Sequence, residues 1–217
     1  MDINQTLTGI SIAAIPILFA VTVHEVAHGW VARRFGDPTA QSQGRLSLNP
    51  LTHVDLFGTI IVPGFLLLLG SPFLFGWAKP VPVDVRNFKR PKRDMAWVAA
   101  AGPAANLAMA VGWTALAGLA VHGVFGAGIL GDWLFRMAAI GLQANVFLAV
   151  FNMLPIPPLD GGRVLVGLLP QGPARVLARV EPYGFVILML LLFSRLLGFL
   201  INPLAGGLTR FLAQLVP

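Results

Sequence analysis

Residues 6–34 read TLTGISIAAIPILFAVTVHEVAHGWVARR, and this stretch decides what kind of molecule the chain forms. The apolar run begins near Leu7, continues through Gly29-Trp30-Val31-Ala32 and stops at Arg33-Arg34. It is long enough to cross a bilayer as a helix. Inside it stand His24, Glu25 and His28, and ionisable groups in such a run are costly and usually functional. Their spacing is H-E-x-x-H. Residues i and i+4 of a helix share a face, so His24 and His28 can aim a ring nitrogen at one ion. Glu25 is one step around, better placed for a water than for the ion. Zinc lowers the pKa of bound water to about 7, and a nearby carboxylate can take the proton. At roughly 1.5 Å per residue, His24 lies about 13 Å along the axis from Arg33, so the motif is submerged but nearer the arginine end. The bland alternative is a chance packing of polar residues. Two His and a Glu on adjacent faces of an apolar helix make it the weaker reading.

Composition agrees with a membrane protein. The 217 residues are 56% hydrophobic and 11% charged, against about 25% charged in soluble domains. With no cysteine, a zinc site must use His, Asp or Glu. The net charge of +6 does not indicate nucleic acid, because the basic residues gather at span ends: Arg33-Arg34, Arg86, Lys89-Arg90, Lys92-Arg93, Arg175 and Arg179. They read as cytoplasmic loop charges and place the N-terminus outside. The opening MDINQT has no basic n-region, so the first span reads as an anchor rather than a cleaved signal.

The expected architecture is an all-α polytopic membrane protein, a single domain over 1–217 with about 4–6 membrane segments. Spans are expected at about 8–32, 95–121, 133–154 and 183–201, the last carrying Arg195. An amphipathic tail at 204–216 lies on the membrane or completes a partial span. Residues 56–77 are long enough to cross, but Pro63-Gly64 and Gly70-Ser71-Pro72 interrupt them. A crossing there would also carry the basic loop 79–93 outside, against the charge rule. A re-entrant or broken hairpin fits better. Two extended pieces, 44–48 and 78–85, read as a short membrane-associated β-region. In the second, Val81, Val83 and Val85 share a side, while Pro80 and Pro82 cannot donate ladder bonds, as in an edge strand. A plain Pro-rich loop is an equal reading of 78–85.

Two histidines need a third protein ligand. An extended HExxHxxGxxH is absent, since Val31 and Arg34 occupy the Gly and His positions. His53 and Asp55 are possible. Asp160 is the best candidate, in Asn152-Met153-Leu154-Pro155-Ile156-Pro157-Pro158-Leu159-Asp160-Gly161-Gly162. The prolines forbid regular helix there, and the glycines permit close backbone approach. A turn or capping Asp is as common a use of such a residue.

In order along the chain, HEVAH, GRLSLNPLTHVDLFGT, FGWAKPVPV, AGPAAN and NMLPIPPLDGG resemble the site-2 protease family of intramembrane zinc metalloproteases. The match covers most of residues 20–165. Its most specific part is HExxH followed about 130 residues later by N-x-x-P-x-x-P-L-D-G. The resemblance implies zinc held by His24, His28 and Asp160, with Glu25 as general base. It further implies that Asn152 bonds the substrate or a developing oxyanion, and that substrate adds as a strand beside 44–48 and 78–85. Asn106, in AGPAAN, reads as a brace between core helices. The chain looks like the compact form of the family, with no PDZ domain, in a prokaryotic inner membrane.

The expected function is therefore zinc-dependent endoproteolysis in or near transmembrane segments of membrane-protein substrates. A helical substrate must unwind before attack, because its peptide bonds are hidden in the helix ladder. Water would enter from the nearer face through polar residues such as His53, Asp55 and Asn152. A metal or proton transporter using the same intramembrane His, Glu and Asp is the alternative, and a silent membrane scaffold a more distant one.

Overall fold

The computed structural model describes residues 3–69, 76–126, 128–194 and 196–216. Helices dominate them: α1 (Ile3–Arg34), α2 (Thr39–Ser42), α3 (Val62–Leu68), α4 (Pro91–Val121), α5 (Ile129–Asn152), α6 (Asp160–Leu168), α7 (Gln171–Ala178), α8 (Gly184–Phe193) and α9 (Leu196–Ala213). Among the described residues, five stretches are long and apolar enough to cross a membrane: Ser11–Arg34, Pro91–Val121, Ile129–Asn152, Gln171–Phe193 and Leu196–Ala213. Helix α4 packs against both α1 and α5, α6 lies on α4, and α9 lies on α5. Ala110, Leu142, Val146 and Leu212 form the buried seam of α4, α5 and α9. Large apolar side chains such as Phe19, Val111, Phe147 and Phe199 stay exposed, an exterior suited to lipid rather than water.

The loop that carries Asp160 is fixed by close packing. A Cβ on Gly161 would lie 2.3 Å from the Met153 carbonyl oxygen, and one on Gly162 would lie 2.3 Å from the Pro157 nitrogen. Only glycine lets the first turn of α6 sit so tightly on the 153–157 backbone. Leu154 and Leu159 then pack with Leu188, Leu197 and Ile201, which anchors the loop against α8 and α9.

Two expectations need correction. First, the described residues contain no β-strand. Residues 76–84 are extended but form no ladder. The Trp77 amide donates to the Gly58 carbonyl (3.0 Å) and the Lys79 amide to the His53 carbonyl (2.9 Å). The Val81 amide donates to the Glu25 carboxylate (2.8 Å). Pro80 and Pro82 have no N–H, and Val85 already opens a 3₁₀ turn over Val85–Asn87. Residues 44–48 meet this segment through a side chain instead: the Arg45 guanidinium donates to the Lys79 and Pro80 carbonyls. Second, the expected span 183–201 is two helices, α8 and α9. Ser194 ends α8, its hydroxyl bonded back to the Leu191 carbonyl in competition with the ladder. The expected tail at 204–216 runs largely within α9, a helix long enough to span, in keeping with the reading that it completes a span. Arg195 and the break at Gly70-Ser71-Pro72 lie outside the described residues.

The described ends of the 56–77 segment meet. Besides the Trp77–Gly58 bond, the Thr59 hydroxyl donates to the Trp77 carbonyl (2.9 Å). Within it run a π-helical turn, Leu56–Ile61, and α3. A single crossing would set its ends about 30 Å apart.

Candidate metal centre

Helix α1 presents His24 and His28 one turn apart, and α4 crosses in front of them. The two Nε2 atoms are 3.0 Å apart. Asp160, the first residue of α6, brings Oδ2 to 3.2 Å from His24 Nε2 and 3.3 Å from His28 Nε2. Of the expected site residues, these three meet, and they form a group able to hold a metal ion. Ligand atoms arranged tetrahedrally at zinc distances of 2.0–2.1 Å would lie about 3.3 Å apart.

The protons on the two rings can be placed from their partners. His24 Nδ1 faces the Asn106 carboxamide oxygen at 2.5 Å, and His28 Nδ1 faces the Val98 carbonyl at 2.7 Å. Both partners only accept, so each neutral ring carries its proton on Nδ1. Both Nε2 lone pairs then face the Asp160 carboxylate oxygen, a buried atom that receives no hydrogen bond. Three acceptors converging without a proton repel one another, and a cation resolves the conflict. Gly102 of α4 shapes the remaining space: a Cβ there would lie 2.5 Å from His28 Nε2 and 2.6 Å from His24 Nε2. The donor set, the spacing and this cradle fit zinc.

Glu25 is half-buried and held by the Val81 amide through one carboxylate oxygen. The extended segment is thus tied directly to the acidic residue of the motif. Asn152 ends α5, half-buried, with its amide donating to the Leu148 carbonyl at 3.0 Å. Among the described hydrogen bonds it makes none to His24, Glu25, His28 or Asp160. His53 and Asp55 serve the loop fold rather than the site. His53 Nε2 contacts the Ser47 carbonyl, and Asp55 accepts from the Gly58 amide at the start of the π-helical turn.

Sequence reasoning missed Gly102, Asn145 and the bond by which Val81 holds Glu25. Asn106 braces the helices as expected, its amide donating to Ala20 on α1 and Asn145 on α5, but its oxygen also serves His24. Asn145 carried a legible signal, a polar side chain within a long apolar run.

Comparison with known proteins points the same way. The model of Peptidase family M50 matches residues 12–194. The chain is similar to "Putative zinc metalloprotease YwhC" of Bacillus subtilis, 39% identical over 89% of this chain and 85% of that protein. It is 33% identical to "Putative zinc metalloprotease Rip2" of Mycolicibacterium smegmatis, over 82% of this chain and 64% of that one. "Putative zinc metalloprotease MJ0611" of Methanocaldococcus jannaschii is 33% identical over 65% of this chain and 62% of its own length. No solved structure matches the chain.

Proposed function

The chain belongs to Peptidase family M50 and is a zinc metalloendopeptidase, and from that premise we propose that it cleaves peptide bonds within or beside the transmembrane segments of other membrane proteins. The observation that carries this reading is the convergence of two unprotonated imidazole nitrogens and one carboxylate oxygen within 3.0–3.3 Å, set in an apolar helix long enough to span. His24, His28 and Asp160 would hold the ion. Bound zinc supplies Lewis-acid polarisation of the scissile carbonyl and acidifies water.

Glu25 accepts the proton of the attacking water and returns it to the leaving amine. The Val81 amide fixes one of its oxygens, leaving the other for that water. A substrate helix opens locally and lies extended beside residues 76–84, where the Val81 amide already contacts Glu25. Asn152 rotates its amide from the Leu148 carbonyl toward a substrate carbonyl. Arg33, Arg34 and the basic residues near the start of α4 support a reading in which the site's nearer face is the cytoplasmic face of a prokaryotic cell membrane and the N-terminus is outside.

The test is cleavage of tagged single-span substrates by purified protein, with Glu25→Gln at matched zinc content as comparator. We expect wild-type cleavage that a chelator stops and zinc restores. Glu25→Gln should be slower by about 10²–10⁴-fold, the usual worth of a positioned general base. Equal cleavage by both proteins would remove Glu25 from the mechanism. Cleavage confined to soluble peptides would remove the membrane substrate.

A further inference from the structure

We propose that Asn145, which touches none of the metal-binding atoms, sets the tautomer of His24 through a directional chain of amides. The inference rests on the metal-site reading above. The chain begins on α5 backbone, where the Asn145 amide donates to the Gly141 carbonyl at 2.8 Å. That bond leaves the Asn145 oxygen facing α4, where it accepts from the Asn106 amide at 2.9 Å. The second Asn106 proton goes to the Ala20 carbonyl at 3.1 Å. Both protons of that amide are then spent, so only the Asn106 oxygen remains for His24 Nδ1.

Each step has one allowed polarity. Flipping Asn145 would set its amide against the Asn106 amide and its oxygen against the Gly141 carbonyl. Flipping Asn106 would set its oxygen against the Asn145 oxygen and the Ala20 carbonyl. Both side chains are fully buried, so water cannot repair either conflict. The backbone carbonyls of α1 and α5 therefore dictate that His24 carries its proton on Nδ1 and offers a bare Nε2. Asn145 is a positioning residue: it commits His24 to the metal before any metal arrives. Outer-shell partners of this kind fix ring orientation and ligand basicity.

The experiment compares wild type, Asn145→Leu and Asn145→Asp. A buried carboxyl is neutral, and its hydroxyl can replace the amide bond to Gly141 while its other oxygen still accepts from Asn106. Zinc affinity is read by competition with a chromophoric chelator, and the His24 proton by ¹⁵N spectra of ring-labelled histidine, in zinc-loaded and chelated protein. Wild type and Asn145→Asp should keep the proton on Nδ1 after chelation and bind zinc alike. Asn145→Leu should show both tautomers and bind zinc about 10-fold or more weakly. The proposal is overturned by a wild-type proton on Nε2 after chelation. It is equally overturned by wild-type behaviour of Asn145→Leu, or by Asn145→Asp as impaired as Asn145→Leu. Absence of zinc binding in wild type would instead remove the metal-site reading, and the wild-type tautomer would still decide the amide chain.

Discussion

Gly102 presents no side chain to the space bounded by His24, His28 and Asp160, and that absence can be tested. A methyl group at this position would lie 2.5 Å from His28 Nε2 and 2.6 Å from His24 Nε2, close to where an ion held by these residues would sit. Gly102→Ala should therefore weaken zinc binding by about 10–100-fold, the scale seen when a metal site's supporting shell is disturbed. The fold should survive, since alanine favours helix over glycine by about 1 kcal/mol. Zinc titration together with a thermal melt separates the two effects. Normal zinc uptake by Gly102→Ala would mean that the ion does not lie between these rings. At this scale HEVAH was legible, because i,i+4 arithmetic concerns one helix alone. The parts played by Gly102 and Asn145 were not. They depend on how α4 and α5 are rotated about their axes against α1, which no spacing within one helix gives.

The extended segment 76–84 poses the problem of an element held without a sheet. Its far end is fixed by Asp37, just beyond α1. One oxygen of Asp37 accepts from the Thr39 amide, the Thr39 hydroxyl and the Asn87 amide, and the other from the Asp84 backbone amide. Burial pushes this carboxyl's pKa up, but the bonds from Thr39, Asn87 and Asp84 outweigh it and hold the value below the ordinary one. A lowered folded-state pKa stabilises the fold above the unfolded value, near 3.9, and the contribution fades as pH falls through the folded value. Wild type should thus lose stability below about pH 4 through this group. A carboxamide in its place has a single accepting oxygen, which cannot serve both the Asp84 amide and the Thr39 and Asn87 donors. Asp37→Asn should be less stable at pH 7 by about 1–3 kcal/mol, with the gap narrowing near pH 3. Melting curves at the two pH values check this, and a gap that stays constant would contradict it. The period-two pattern of Val81, Val83 and Val85 signalled extended chain, but not its partners. They include the carboxylates of Glu25 and Asp37, the backbone carbonyls of Gly58 and His53, the Thr59 hydroxyl and the Arg45 side chain, all from regions remote in sequence. Likewise hydropathy located an apolar run around 183–201, while the end of α8 at Ser194, where the hydroxyl bonds back to the Leu191 carbonyl, was not legible in it.

Charge and closure together make a testable prediction of how the whole molecule sits in a membrane. Helix α1 ends at Arg34 and α4 begins at Pro91, and between them the chain meets itself where the Trp77 amide bonds the Gly58 carbonyl. That contact favours an excursion that returns to the face it left, the arrangement to be tested. Arg33, Arg34, Arg86, Lys89, Arg90, Lys92 and Arg93 fall at that end of α1 and α4, and Arg163, Arg175 and Arg179 follow the matching end of α5. The turn between α4 and α5, around residues 122–126, lies at the opposite end and carries no Lys or Arg. The charge rule assigns the basic end to the cytoplasm. Because the chain has no cysteine, single cysteines report sidedness without background. In oriented vesicles, Gln43→Cys and Lys89→Cys should react with an impermeant thiol reagent from the cytoplasmic side, and Val124→Cys from the outer side. Labelling of positions 43 and 89 from opposite sides would make the excursion a true crossing, and the Trp77–Gly58 contact could not then exist. Labelling of both from outside would keep the closed excursion but invert the molecule, placing the water-facing side of His24 and Glu25 outside the cell. Same-side cytoplasmic labelling fixes where water reaches Glu25, and with it the side from which an unwound substrate must be presented.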